Sequence, residues 1–425
     1  LVFFDDYANT AIVSSTIKDV SDRLRISREK LSYIVDSTAA PVSTIAISSW
    51  VAFQMSLIGD GYEAVGVADH PPVFEVFLNS IPFNMYSVLA IVMVAIVVVS
   101  GRDYGEMLTA EHRSWTTGNV NRTGARPMQD VSSDLGEPVA DNPRLIAFFA
   151  PIVVLIVVTL GSALWTGYEP GATLWDMVTD ASYASALVYG SFAMILVGMV
   201  TGYAYGIMSL KRSVDTVIDG FGLMLTAVSI LVLAWSIGEA VDALGTGEYV
   251  AGVAEQAITP ELLPAIVLVV AAFVAFSTGT AWGTMGILTP IAVPVAWSMT
   301  GDHTVVAAVV GVIFSGAVFG DHSSPISDTS VLSATFTGAD LIDHVRTQLY
   351  YAVTVAVVAI VLLVIWGYTK ISPIALLALG VLMLIGLVYG LSEWDAGRRG
   401  VEPVAADGTR EPDSERETTG RSASV

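Results

Sequence analysis

Several stretches of this chain, among them Tyr86 to Ser100, Leu145 to Leu164, Leu262 to Phe276, Tyr351 to Trp366 and Ile374 to Leu391, run almost without charge. A run of that length and polarity crosses a hydrocarbon core of about 30 Å as a helix, because an isolated strand leaves backbone N–H and C=O groups unsatisfied in lipid. The chain is therefore read as an all-α membrane protein, a polytopic helix bundle. Composition agrees: 54% of the residues are hydrophobic and 14% charged, more apolar than a soluble core of this size requires.

The formal charge is −21, and of 19 basic residues only Lys18, Lys30, Lys211 and Lys370 are lysine. An acidic, arginine-biased surface suggests a halophilic host. The absence of cysteine excludes disulfides and thiolate metal sites. The opening Leu1-Val2-Phe3-Phe4-Asp5-Asp6 lacks the basic region and unbroken apolar core of a signal peptide, and reads as the interior of a longer chain.

Basic residues cluster at Lys18 to Lys30, at Arg102, Arg113, Arg122, Arg126 and Arg144, and at Lys211-Arg212, whereas the loops Gly59 to Pro72, Tyr168 to Tyr183 and Gly245 to Glu261 contain none. The positive-inside rule puts the clusters in the cytoplasm. Spans are expected at 1–15, 33–58, 73–101, 145–166, 183–206, 220–244, 262–300, 304–339, 347–367 and 371–391, about ten crossings. The resulting domains are a first-repeat remainder over 1–101, a cytoplasmic loop over 102–144, further spans over 145–391 and a polar, disordered tail over 392–425. Alternate crossing sends the tail outside, while its arginines favour the inside; the two rules conflict.

An internal repeat organises the chain. Asp22, Arg28, Leu31 and Tyr33 match Asp340, Arg346, Leu349 and Tyr351 at one offset, and after small gaps Asn9-Thr10 meets Asp328-Thr329 and Phe4-Asp5-Asp6 meets Phe319-Gly320-Asp321. The expected topology makes the copies inverted, and an inverted-topology repeat with discontinuous helices places a transporter's substrate near the bilayer midplane.

The segment Phe319 to Ser333, "FGDHSSPISDTSVLS", sets Asp321, Ser323, Ser324, Ser327, Asp328 and Thr329 around a proline after an apolar run. Buried carboxylates are costly unless they pair, protonate or bind cations, and Pro325 frees carbonyls by breaking the helix. Oxygen-only ligation suits sodium, expected at Asp321, Asp328, Ser324 and Thr280. The competing reading is an extramembrane loop. The first copy supplies Asp5, Asp6 and Asn9, and then Asp36 ahead of Pro41. Thr278, Thr280 and Thr284 punctuate a glycine-interrupted span and line either a polar cavity or a close helix contact. Glu239 and His322 are accessory candidates; His322 is either a proton relay or a histidine satisfied by its neighbours. His344, with Asp340 and Asp343, reads as a helix start at the interface and is given no role in the chemistry. No Walker loop, HExxH or dinucleotide fingerprint is present, which leaves no enzyme or nucleic-acid reading.

These residues carry a resemblance. "FGDHSSPISDTSVLSATFTGADLIDHVRTQLYYA", "TGTAWGTMGILTPIA" and "FFDDYANT" followed by "REKLSYIVDSTAAPVSTIA" resemble the NhaC family of sodium/proton antiporters in the ion transporter superfamily, over nearly the whole chain to about Leu391. The resemblance implies a broken-helix, inverted-repeat fold that exchanges sodium for protons, with those ions and the bilayer as partners and no cofactor. Family members that exchange malate for lactate leave a coupled organic-acid carrier as the alternative. A homo-oligomer is compatible with the sequence.

Overall fold

The computed structural model describes residues 6–67, 69–127, 144–179, 181–223 and 258–405, together with residues 232, 236, 243 and 244. Asp5, Glu239 and most of the expected 220–244 span lie outside these residues. The described part is helical throughout: α1 (Asp6–Arg23), α2 (Arg28–Asp36), α3 (Ala40–Ser43), α4 (Ser49–Ala64), α5 (Val73–Ser80), a 3₁₀ turn (Ile81–Phe83), α6 (Met85–Ser100), α7 (Glu106–Thr117), α8 (Leu145–Thr166), α9 (Leu174–Thr179), α10 (Tyr183–Ala204), α11 (Leu210–Leu223), α12 (Leu263–Thr278), α13 (Ala281–Thr300), α14 (His303–Ser323), α15 (Asp328–Thr337), α16 (Leu341–Thr369) and α17 (Pro373–Arg399).

Among the described residues five helices are long and apolar enough to cross a membrane, six if α5 and α6 are taken as one span bent by 50°. Of the expected ten, 220–244 lies mostly outside the described residues, and polar breaks cut several of the others. Residues 33–58 are divided by Ser37–Ala39 and by the Thr44–Ser48 stretch around α3. Residues 262–300 break at Gly279, whose φ of +70° is a left-handed turn that glycine tolerates.

Two faces define the molecule. On the basic face Arg28 donates to the Thr337 carbonyl, Lys30 meets Asp103, Asn121 donates to the Gly338 carbonyl and Arg399 reaches Asp395 and Thr109. On the opposite face Tyr62 bonds His303, and Pro71, Glu75, Asp302, Lys370 and Pro373 share one cavity. The positive-inside rule makes the first face cytoplasmic.

Between these faces α12 and α13 form a hairpin that enters from the outer face and returns to it. A Cβ on Gly316 would fall 2.5 Å from the Leu268 carbonyl, and one on Gly320 would fall 2.7 Å from the Ala275 carbonyl carbon, so α12 runs alongside α14 from the outer face inward. Trp282 then lies against Trp50 at a tilt of 55°, Thr289 donates to Gln54 and Trp297 meets Tyr62, so α13 climbs back alongside α4.

This hairpin bears on one question the sequence left open and on one expectation. With one crossing removed, the end of α17 reaches the cytoplasmic face, where Arg102 pairs with Glu393, so Arg398 and Arg399 are on the side they favour. Helix α17 runs on to Arg399 with Ser392 and Asp395 buried, because the Gly105 amide and Arg399 hold the Asp395 carboxylate; the polar tail does not begin at 392. The matched copies are also not inverted. Helix α1 and the α14–α15 pair both run toward the basic face, and α2–α4 and α16 both leave it.

The core follows from α14, whose most apolar window is 83% buried, whereas those of α8 and α10 are 11% and 17% buried. Those two helices pack chiefly on each other and offer lipid their exposed Phe148, Val157, Val188 and Val200.

Candidate functional site

Three helices begin or end around one polar centre. Helix α14 stops at Ser323, the chain turns through Ser324 to Ser327 around Pro325, and α15 begins at Asp328. Helix α2 stops at Asp36. The C-termini of α2 and α14 carry the negative ends of their dipoles into the protein, which favours a cation between them.

Three carboxylates sit here. Asp321 is 1% exposed and accepts from Ser327 Oγ at 2.5 Å and from Thr329 Oγ1 at 2.5 Å. Asp328 accepts from the Tyr7 hydroxyl, and its Oδ1 receives the Thr329 amide. Asp36, wholly buried, accepts from Ser330 Oγ at 3.2 Å, Ser333 Oγ at 3.3 Å and Gln348 Nε2 at 2.7 Å, with His344 Nε2 3.4 Å away. Ser330 also donates to the Asp321 carbonyl, and Gln348 to the His322 carbonyl, which ties the centres together. Among the described residues no lysine or arginine pairs with any of the three. Gln348 is the eighth residue of α16, so the centre lies about 10 Å in from the cytoplasmic start of that helix.

The remaining expected residues divide into neighbours and separate groups. Asp6 accepts from Trp50 Nε1 at 3.1 Å and flanks Tyr7, which binds Asp328. Asn9 donates to the Thr38 carbonyl at 3.1 Å, bracing the break that follows Asp36. Ser323 is buried without a hydrogen-bond partner for its hydroxyl, and Ser324 Oγ accepts from the Ile326 amide. His322 is buried between Tyr86 and the Asp36 carbonyl, 3.2 Å from each. The threonines serve their own helices: Thr278 donates to the Val274 carbonyl, Thr280 caps α13 through the Gly283 amide, and Thr284 donates to the Thr280 carbonyl. Their break nonetheless touches the other one, since a Cβ on Gly279 would lie 2.7 Å from the Ile326 carbonyl.

Tyr7, Ser330, Ser333, His344 and Gln348 were not among the expected site residues. Gln348 carried a legible signal, an amide just inside an apolar run and one turn from His344.

On the cytoplasmic side Lys30 bonds Asp103 at 2.7 Å and lies 3.6 Å from Glu111, while Tyr351 donates to Asp103 and the Ser27 amide to Glu111. Burial pushes the Asp103 carboxyl up, Lys30 pulls it back down, and the charge of Glu111 adds to the rise. This cluster anchors the start of α2 to the α6–α7 loop and α16, and so fixes where Asp36 ends.

The comparisons agree with the motifs. The Na+/H+ antiporter family matches the chain over residues 42–368. An uncharacterized protein of Haemophilus influenzae is 31% identical over 400 residues, 92% of this chain and 74% of that protein. The malate-2H(+)/Na(+)-lactate antiporter of Bacillus subtilis is 30% identical over 192 residues, 44% of this chain and 39% of that protein. The Na(+)/H(+) antiporter NhaC of Alkalihalophilus pseudofirmus is 27% identical over 156 residues, 37% of this chain and 33% of that protein. With the family match spanning most of its length, the chain belongs to the Na+/H+ antiporter family and is a multi-pass integral protein of the cell membrane.

Proposed function

We propose that this chain exchanges sodium for protons across the cell membrane, both ions competing for Asp36, Asp321 and Asp328. The observation that carries the reading is two buried carboxylates, Asp36 and Asp321, beside the half-buried Asp328, ringed by hydroxyls and an amide, with no lysine or arginine countercharge among the described residues. Such groups are too costly to remain empty and charged, so a proton or a sodium ion must neutralise them. Sodium takes the carboxylate oxygens of Asp321 and Asp328 with the hydroxyl oxygens of Ser327 and Thr329, which rotate their protons away. Ser324 and Thr280 complete the shell as the two breaks close on each other. Asp6 and Asn9 contribute from the first copy by holding Tyr7 and the break after Asp36. When a proton binds instead, the carboxyl becomes a donor to the same hydroxyls and the cation leaves.

Replacing Asp321 and Asp328 by Asn, each in turn, abolishes sodium-dependent proton flux in reconstituted vesicles on this reading; normal flux in both variants removes these residues from the mechanism. Sodium affinity falls as pH drops, because protons occupy the same oxygens.

A second reading, sodium- or proton-coupled carriage of an organic acid, is favoured by the Bacillus subtilis relative. A carboxylate cargo needs a cationic or helix N-terminal partner, and the three acids above do not provide it. Proton flux driven by malate or lactate gradients without sodium separates the two readings.

A further inference from the structure

The carboxylate centre lies about 10 Å in from the cytoplasmic start of α16, so an ion bound there must still pass the length of α14 to reach the outer side. A cavity of about 660 Å³ opens on that side between α5, the 3₁₀ turn, α14, α16 and α17, with Glu75, Asp302 and Lys370 in its lining and Ala307 and Phe83 among its buried wall residues. One stripe of α14 runs inward from it. Ala307 lines the cavity; one turn deeper, a Cβ on Gly311 would fall 2.8 Å from Phe83 Cβ; a further turn on, Ser315 Oγ donates to Asn84 Oδ1 at 2.9 Å. At about 1.5 Å per residue the cavity wall and Ser315 are about 12 Å apart.

Behind Phe83 the polar groups continue. Asn84 Nδ2 donates to Thr44 Oγ1, the Tyr86 amide donates to Ser315 Oγ, and the Tyr86 hydroxyl meets His322 Nδ1, whose other ring nitrogen faces the Asp36 carbonyl. These groups are buried in an otherwise apolar core, where each polar side chain has a cost unless it is bonded. Phe83 is 3% exposed, stands edge-on to Trp366 at 4.7 Å, and sits in a three-residue 3₁₀ turn at the 50° bend between α5 and α6. That turn and Gly311 stand between the cavity lining at Ala307 and the first polar pair behind it, Ser315 and Asn84.

We propose that this cavity is the outer entrance for the hydrated monovalent cation, and that Phe83 is the plug separating it from the Asn84–Ser315–Tyr86–His322 line. Swinging Phe83 about the Asn84 bend joins the entrance to the carboxylate centre. The identity of the cargo rests on the exchange reading, but the route does not.

The chain has no cysteine, so single-cysteine variants report accessibility directly. A membrane-impermeant, positively charged methanethiosulfonate is applied to the outer face of vesicles holding the full chain. Thr304→Cys at the exposed rim reacts quickly, and Ser315→Cys at least tenfold more slowly. Phe83→Ala, and to a smaller degree Phe83→Leu, raises the Ser315→Cys rate at least tenfold while leaving the Thr304→Cys rate unchanged, which also certifies the fold. Labelling of Ser315→Cys only from the cytoplasmic face, or a rate indifferent to both Phe83 variants with Thr304→Cys unchanged, overturns the proposal. No transport is needed for this readout, so loss of sodium exchange in the unmodified chain would sink the antiport reading alone.

Discussion

Helices α2 and α16 begin alike and end differently. Arg28, Leu31 and Tyr33 of α2 match Arg346, Leu349 and Tyr351 of α16, and both helices leave the cytoplasmic face. Helix α16 is 29 residues long and runs on to Thr369, while α2 stops after nine. At the same offset Asp36 falls on Thr354, and Pro41 falls on Ala359. Thr354 folds its hydroxyl back onto the Tyr350 carbonyl and the helix goes on; Asp36 is followed by Ser37, Thr38 and a proline, and the helix ends with a carboxylate at its negative pole. Lys30 and its counterpart Gln348 complete the contrast, since the lysine holds α2 to Asp103 while the amide of α16 reaches across to Asp36. A repeated frame thus yields one scaffold helix and one site helix through a handful of residues past the shared motif.

The comparison can be broken at three points. If the broken copy carries the chemistry, Asp36→Asn loses at least a hundredfold in sodium-dependent proton flux in vesicles, while Thr354→Val at the matched place stays within about twofold. Comparable losses in both would mean that the break is only architecture. Next in size, Lys30→Met leaves Asp103 and Glu111 buried without their cation and costs about 3–5 kcal/mol of stability at neutral pH, read as thermal unfolding by tryptophan fluorescence in detergent. The sign with pH is set by the raised Asp103 carboxyl: protonation removes the uncompensated charge, so the variant recovers stability as pH falls, and a deficit that deepens in acid contradicts the assignment.

The smallest effect belongs to the start of the continuous helix. Asp340 caps α16 through the Ile342 and Asp343 amides and accepts from the Arg126 amide as well. Partial burial works against its charge, but these amides and Arg122 hold the carboxyl below its ordinary range. Its contribution is therefore complete above the ordinary aspartate pKa and disappears as pH falls through the lowered value. Asp340→Ala costs about 1 kcal/mol at neutral pH, a gap that closes in acid.

Much of this was legible in the sequence, for identifiable reasons. Charge-free runs and arginine clusters carry depth and side in their composition alone, and Pro325 among acids and hydroxyls marks a break by local chemistry. The return of α12–α13 was not legible, because hydropathy over 262–300 is the same whether the chain passes through or turns back at Gly279; only the contacts of Gly316 and Gly320 with α12, and of Trp282 and Thr289 with α4, distinguish the two. The pairing of His344 and Gln348 with Asp36 was hidden for another reason. Their role depends on Asp36, some three hundred residues earlier, and no periodicity within α16 encodes a partner at that distance.

The hairpin has a consequence for everything that follows it. A segment that dips into the bilayer and resurfaces on its starting side adds nothing to the alternation by which a chain swaps compartments, so it resets the parity of all later helices. That single reversal gives the last helix a cytoplasmic end, where Arg102 clasps it and its own Arg399 reaches Thr109, and it lets two copies of one motif point the same way.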